Sequence, residues 1–193
     1  MATPTAAQTA AATRTIAIGA GPQTHYTIER QPPAGSCHYT VVDAAMGEYL
    51  PDPKCTPGAI SPAVTQDNLA STICKKGYTK SVRPPEDVTD AEKAANAASY
   101  SYTGSLKTAE YDHFIPLELG GDPNDPRNLW VEPNDATATT VNNPKDGVES
   151  SLNYLVCNAI HGKPYLPLAK AQELIATNWT TAKVLARQLL VSN

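Results

Sequence analysis

Asp112 and His113 stand side by side at the start of an apolar run in "AEYDHFIPLELGGDPNDPRNLW", residues 109–130. An imidazole with a pKa near 7 can take a proton from an attacking water. A neighbouring carboxylate offers a hard oxygen ligand to a divalent metal. In an extended strand, successive side chains point to opposite faces, so the pair can divide the work between metal and water. Phosphodiester hydrolysis needs both parts, because a metal can stabilise charge on the phosphate and on the departing oxygen.

The elements that must hold this pair follow from the same stretch. "HFIPLEL" turns from polar to apolar, which places His113 at one end of a strand. Gly120 and Gly121 favour a turn, since glycine takes backbone angles that other residues resist. "DPNDPRN" lengthens the turn and "LWVEP" supplies a second strand. The following "NNPKDGVESSLNYLVCNAI" reads as a helix, with Val148, Leu152, Leu155 and Val156 at helical spacing and Pro144 in its first turn. Asn142 lies three residues before Lys145, where its side-chain oxygen could face the Asp–His corner; Asn143 is the alternative. Glu149 reads as a solvated residue that pairs with Lys145 at i, i+4 spacing.

"DHFIPLELGG", "NLW" and the "NNPK" segment together resemble the HNH family of ββα-metal nucleases. The resemblance covers residues 109 to about 158 and lacks the paired C-x-x-C knuckle of some relatives. It implies Asp112 as a metal ligand, His113 as general base, and Asn128 in the catalytic set as the residue bracing the loop. It further implies a helical metal ligand at Asn142, where many of these nucleases carry His. Lys145 occupies the trailing lysine position, free to contact phosphate, and Arg127 is a second phosphate contact. The implied cofactor is a divalent metal ion, Mg²⁺ or Mn²⁺, with Zn²⁺ as an alternative. The implied substrate is DNA, with RNA as an alternative, cleaved with little sequence specificity. The longer segments "LPDPKCTPG", "KDGVESSLNYLVC" and "AQELIATNW" resemble an exported bacterial branch of the same family. A non-catalytic binding or structural module on the same scaffold is the rival reading.

The chain has 193 residues, 41% of them hydrophobic and 18% charged, with 17 prolines and 11 glycines. This composition fits one packed globular body with long loops. The net charge of −4 argues against a dedicated nucleic-acid coat protein. One stretch runs against that balance: "CKKGYTKSVR" holds Lys75, Lys76, Lys80 and Arg83 without an acid. It reads as a basic loop, expected on the same side of the molecule as His113. Cys37, Cys55, Cys74 and Cys157 are scattered and even in number, which argues against a structural zinc site and is compatible with two disulfides in three connectivities, with buried free thiols as the alternative. The Ala/Thr-rich start has neither the charged nor the apolar region of a signal peptide, and reads as the leader of a mature extracellular protein. No apolar run is long enough for a membrane span, and a monomer is expected.

The expected fold is α+β: a flexible leader (1–13), a β-rich cysteine-containing region (14–84), and a ββα-metal region with C-terminal helices (85–193). Strands are expected in "RTIAIGA", "HYTIERQ" and "CHYTVVDA", and irregular structure in "LPDPKCTPGAISP". "AVTQDNLASTIC" reads as a short helix. Thr89 and Glu92 form a capping-box pattern at the start of another. "LAKAQELIATNWTTAKVLARQLL" closes the chain as one or two helices. Trp130 and Trp179 read as core anchors, and His25, His38 and His161 as residues without a partner in the sequence.

Overall fold

The computed structural model describes residues 15–135, 137–141 and 143–191. The chain is α+β, with small two-stranded sheets, packed helices and two disulfides. The expected leader and Asn142 lie outside the described residues.

The first region contains less strand than its composition predicts. β1 (Ala17–Ile18) pairs in parallel with β4 (Ala59–Ile60), and β2 (Thr40–Asp43) forms a hairpin with β3 (Glu48–Leu50). "HYTIERQ" forms no strand. Its polar groups go to other parts of the chain: Tyr26 Oη donates to Val82 O, Asn124 Nδ2 to Thr27 O, and Glu29 N to Glu92 Oε1. β4 lies inside the Pro-rich connection expected to be irregular. "AVTQDNLASTIC" forms only a 3-10 turn at Gln66–Ser71, and the basic run folds partly into α1 (Tyr78–Val82).

α2 spans Glu86–Ser99, so the Thr89–Glu92 capping box is not its start. Pro84 and Pro85 end the preceding extended segment, and Glu86 and Asp87 sit where the helix dipole favours acids. Thr89 instead bonds back to Glu86 O from within the helix. Glu92 is buried, accepting from Glu29 N and from Tyr111 Oη.

β5 (Glu110–His113) and β6 (Leu129–Glu132) form the expected antiparallel hairpin, and α3 (Asp146–Cys157) follows after a loop. Pro144 precedes α3 rather than lying in its first turn. α4 (Leu168–Val191) is broken at Asn178, whose extended backbone starts a second segment and whose Oδ1 accepts from Thr180 N.

One core joins the regions on both sides of residue 85. Cys37, Leu50, Val64 and Leu69 pack with Phe114, Trp130, Leu152 and Trp179. Both tryptophans are core anchors, as expected, and a buried side chain of this size contributes roughly 2–3 kcal/mol. Trp179 Nε1 also donates to Tyr49 O at 2.7 Å, tying α4 to β3. The disulfides are Cys37–Cys55 and Cys74–Cys157; the second fastens the start of the basic run to the end of α3.

Candidate functional site

The hairpin register sorts the site residues onto two faces. Glu110 pairs with Glu132, Asp112 with Trp130, and His113 with Leu129. Strand alternation therefore puts Glu110, Asp112 and Glu132 on one face and Tyr111 and His113 on the other.

The loop between the strands is held by Asn128, which is fully buried. Its Oδ1 accepts from Ile115 N at 2.9 Å and from Ala59 N at 3.3 Å. Its Nδ2 donates to Ile115 O at 3.0 Å and Asp122 O at 3.1 Å. The amide is fully engaged with backbone, so Asn128 braces the loop and reaches no reacting group. The two glycines serve different needs. Gly120 has φ +74°, in the left-handed region, whereas a Cβ on Gly121 would lie 1.7 Å from Ile115 O.

On the acidic face, Lys145 takes a position that its sequence does not reveal. Its side chain has no solvent exposure. Nζ donates to Asp112 Oδ2 at 2.6 Å, to His113 O at 2.9 Å and to Glu149 Oε1. The expectation of a lysine free to reach phosphate is therefore corrected: three acceptors already surround this ammonium. Glu149 is likewise not solvated, with its side chain 12% exposed.

Burial alone would strip Lys145 of its proton, but Asp112 first, then Glu149 and Glu132, hold it firmly charged. Burial also works to raise Asp112, and the Lys145 ammonium outweighs it, keeping this carboxyl below its ordinary range. One ammonium cannot keep every nearby acid ionised in a dry site. Burial lifts Glu149 to about 8 despite its contact with Lys145, and the Asp112 charge adds to the rise. Glu110 rises to about 7 through burial and then Asp112. Glu132 is raised well above a normal carboxyl, again by burial and then by Asp112.

Asn143, the alternative helical ligand, is committed elsewhere. Its Nδ2 donates to Glu132 Oε2 at 2.8 Å and Glu110 Oε2 at 3.3 Å, while its Oδ1 accepts from Lys145 N.

The donor set fits a hard divalent cation in chemical type. Asp112 is ionised, and the raised Glu132 carboxyl hydrogen-bonds to it, so the two would present oxygen donors side by side once that proton leaves. Oxygen ligands of this kind suit Mg²⁺ or Mn²⁺ better than Zn²⁺. Among the described residues, no group of three or more His, Cys, Asp or Glu side chains is arranged to hold a metal.

His113 faces the other way, into a cleft of about 370 Å³ lined by Arg83, Glu86, Thr89, Asp90, Lys93 and Tyr111, among others. Its Nε2 lies 3.0 Å from Pro123 O. The carbonyl can only accept, so Nε2 carries the proton and Nδ1 keeps the basic lone pair. Burial pulls the imidazole down to about 4, leaving it neutral at pH 7.

Arg83 shares this cleft, as expected for part of the basic run. Lys75 and Lys76 line a separate groove with Glu118, Asn153 and Tyr154. Arg127 is half exposed and held by Asp125, with Nε to Oδ1 at 2.9 Å and Nη2 to Oδ2 at 2.5 Å. Sequence reasoning missed Glu110, Glu132 and the burial of Lys145. The strand period places Glu110 beside Asp112, and only the hairpin register brings Glu132 to them.

The chain matches no family model, no curated protein and no solved structure.

Proposed function

We propose that the chain is an exported, metal-dependent endonuclease of the HNH, or ββα-metal, type, hydrolysing DNA with little sequence specificity. One observation carries this reading: Asp112 and His113 are adjacent in β5, one charged against α3 and the other neutral beside an open cleft. In this reading His113 Nδ1 accepts the proton of the attacking water. Pro123 O fixes the tautomer, and Arg83 offers a cation toward phosphate in a cleft that Glu86 and Asp90 also line. A base at about 4 is weaker than the ideal near neutrality. An incoming phosphate anion raises it, as the Asp112 charge already does. Asp112, together with Glu132 after loss of its proton, would hold a divalent ion, which supplies charge stabilisation at the phosphate. Lys145 orients both halves of the pair through Asp112 Oδ2 and His113 O.

Two disulfides persist best in an oxidising compartment, which supports export. No helix among the described residues is long and apolar enough to cross a membrane.

The test is plasmid digestion with Mg²⁺ or Mn²⁺, with and without EDTA. Cleavage that EDTA abolishes is the expected result. A second reading, a scaffold without catalysis, is favoured by Lys145, whose ammonium already neutralises Asp112. Absence of cleavage with every metal would establish it over the first.

A further inference from the structure

A second surface carries positive charge that the Asp–His site does not use. A groove of about 560 Å³ is lined by Arg30, Lys54 and Arg127, with Pro32, Pro33 and Pro126 among its other walls. Among the described residues no carboxylate lines it, although Asp125 pairs with Arg127 from beside it, in a chain whose net charge is −4. We propose that this groove binds the sugar-phosphate backbone of the nucleic-acid substrate beside the cleaved bond. The proposal rests on the nuclease reading and extends it to substrate positioning.

Each cation stands on a pinned segment. Lys54 N donates to Asp52 Oδ1 at 2.8 Å, and its neighbour Cys55 is tied to Cys37. The segment that bears Arg30 is held to α2, since Ser99 Oγ donates to Pro32 O and Asn96 Nδ2 to Gln31 Oε1. Arg127 O accepts from Gly58 N at 2.9 Å, and Asp125 sets its guanidinium. Arg30 and Lys54 are exposed and form no ion pair among the described residues, so both ends are available to an anion. The backbone that bears each cation is already ordered, so a polyanion has only the Arg30 and Lys54 side chains left to order. The proline walls give sugar rings an apolar surface.

The groove is also tied to the reactive residue. Pro126 and Arg127 belong to the loop whose Pro123 carbonyl holds His113. Arg127 lies two residues before Leu129, the cross-strand partner of His113. Two residues span at most about 7 Å and a strand pair about 5 Å, so the two backbones lie within about 12 Å. That distance corresponds to roughly three or four nucleotides of a strand rising 3.4 Å each. A strand bound in the cleft would have to run only that far to bring a neighbouring phosphate to the groove.

The experiment measures binding of a fluorescent DNA duplex in EDTA at increasing NaCl, for the parent, R30A/K54A and K75A/K76A. The last variant removes two lysines from the groove that also contains Glu118. R30A/K54A is expected to bind about tenfold more weakly or worse at moderate salt, and to lower the slope of log K against log[salt] by about 1.8. K75A/K76A should keep most of the parent slope. Turnover of bis(p-nitrophenyl) phosphate, which has no flanking nucleotides, should be unchanged in R30A/K54A. A parent slope in R30A/K54A, a larger loss in K75A/K76A, or tighter parent binding of a sulfated polysaccharide than of duplex would each overturn the assignment. So would a parent that binds no duplex. Duplex binding that depends on Arg30 and Lys54 without any cleavage would instead keep the groove and remove the nuclease reading.

Discussion

His113 and Asp112 should fail in different ways when replaced. In the proposed mechanism His113→Ala removes the proton acceptor and leaves the acidic face intact, so cleavage should fall about 10²–10⁴-fold with little change in metal affinity. Asp112→Ala should weaken metal binding first and activity as a consequence. Calorimetric metal titration beside a nuclease assay separates the two, and full activity in His113→Ala refutes the base assignment. Lys145 makes a sharper stability prediction. Lys145→Met leaves Asp112 charged, buried and unpaired, a fault that costs about 3–5 kcal/mol. Adding Asp112→Asn should recover part of that loss in urea unfolding; a loss below about 1 kcal/mol in the single variant would show that the pair is solvated. The alternation of Asp112 and His113 was legible because a strand has a period of two. The burial of Lys145 was not, because lysine enters a core only when acceptors from distant segments converge on it, as Asp112, Glu149 and His113 O do here.

The hairpin and α3 were legible as elements because their signals are local: an apolar run, two glycines, and helical spacing after Pro144. The N-terminal strands were not. Residues 26–29 are satisfied by Val82 O, Glu92 and Asn124, side-chain and backbone partners far along the chain that no propensity encodes. Cross-links compensate for this sparse regular structure. Cys74–Cys157 closes a separation of 83 residues and Cys37–Cys55 one of 18. In the chain-entropy model these restrict the unfolded state by about 4.5 and about 3 kcal/mol. Removal of the longer link with C74A/C157A should therefore lower the urea midpoint more than C37A/C55A does. Equal midpoints would mean that the unfolded chain is already constrained around α3. Thiol titration of the unfolded, unreduced parent should find none of the four cysteines reactive.

At the scale of the whole molecule, the acidic face makes stability depend on pH in an unusual direction. Glu110 titrates at about 7 and Glu149 at about 8 in the folded protein, against 4.5 for an ordinary glutamate. Between those values the folded state holds protons that the unfolded chain has released, so their contribution is complete below pH 4.5 and is lost as pH rises through 7 and 8. His113 acts in the opposite sense: its folded value of about 4 lies below the usual 6.5, so its contribution grows as pH rises from 4 to 6.5 and is constant above. The two trends oppose each other below pH 6.5, and above it only the acids act. In EDTA, the urea midpoint should therefore fall between pH 6.5 and 8.5, where most soluble proteins change little. Glu149→Gln keeps an acceptor for Lys145 and cannot lose a proton, so it should flatten the upper part of that fall. A divalent ion held by Asp112 and Glu132 would replace protons on this face, so Mg²⁺ or Mn²⁺ should stabilise the parent more at pH 8 than at pH 6. A midpoint that rises toward pH 8.5 in EDTA would mean that these carboxyls are ionised and solvated in the folded protein.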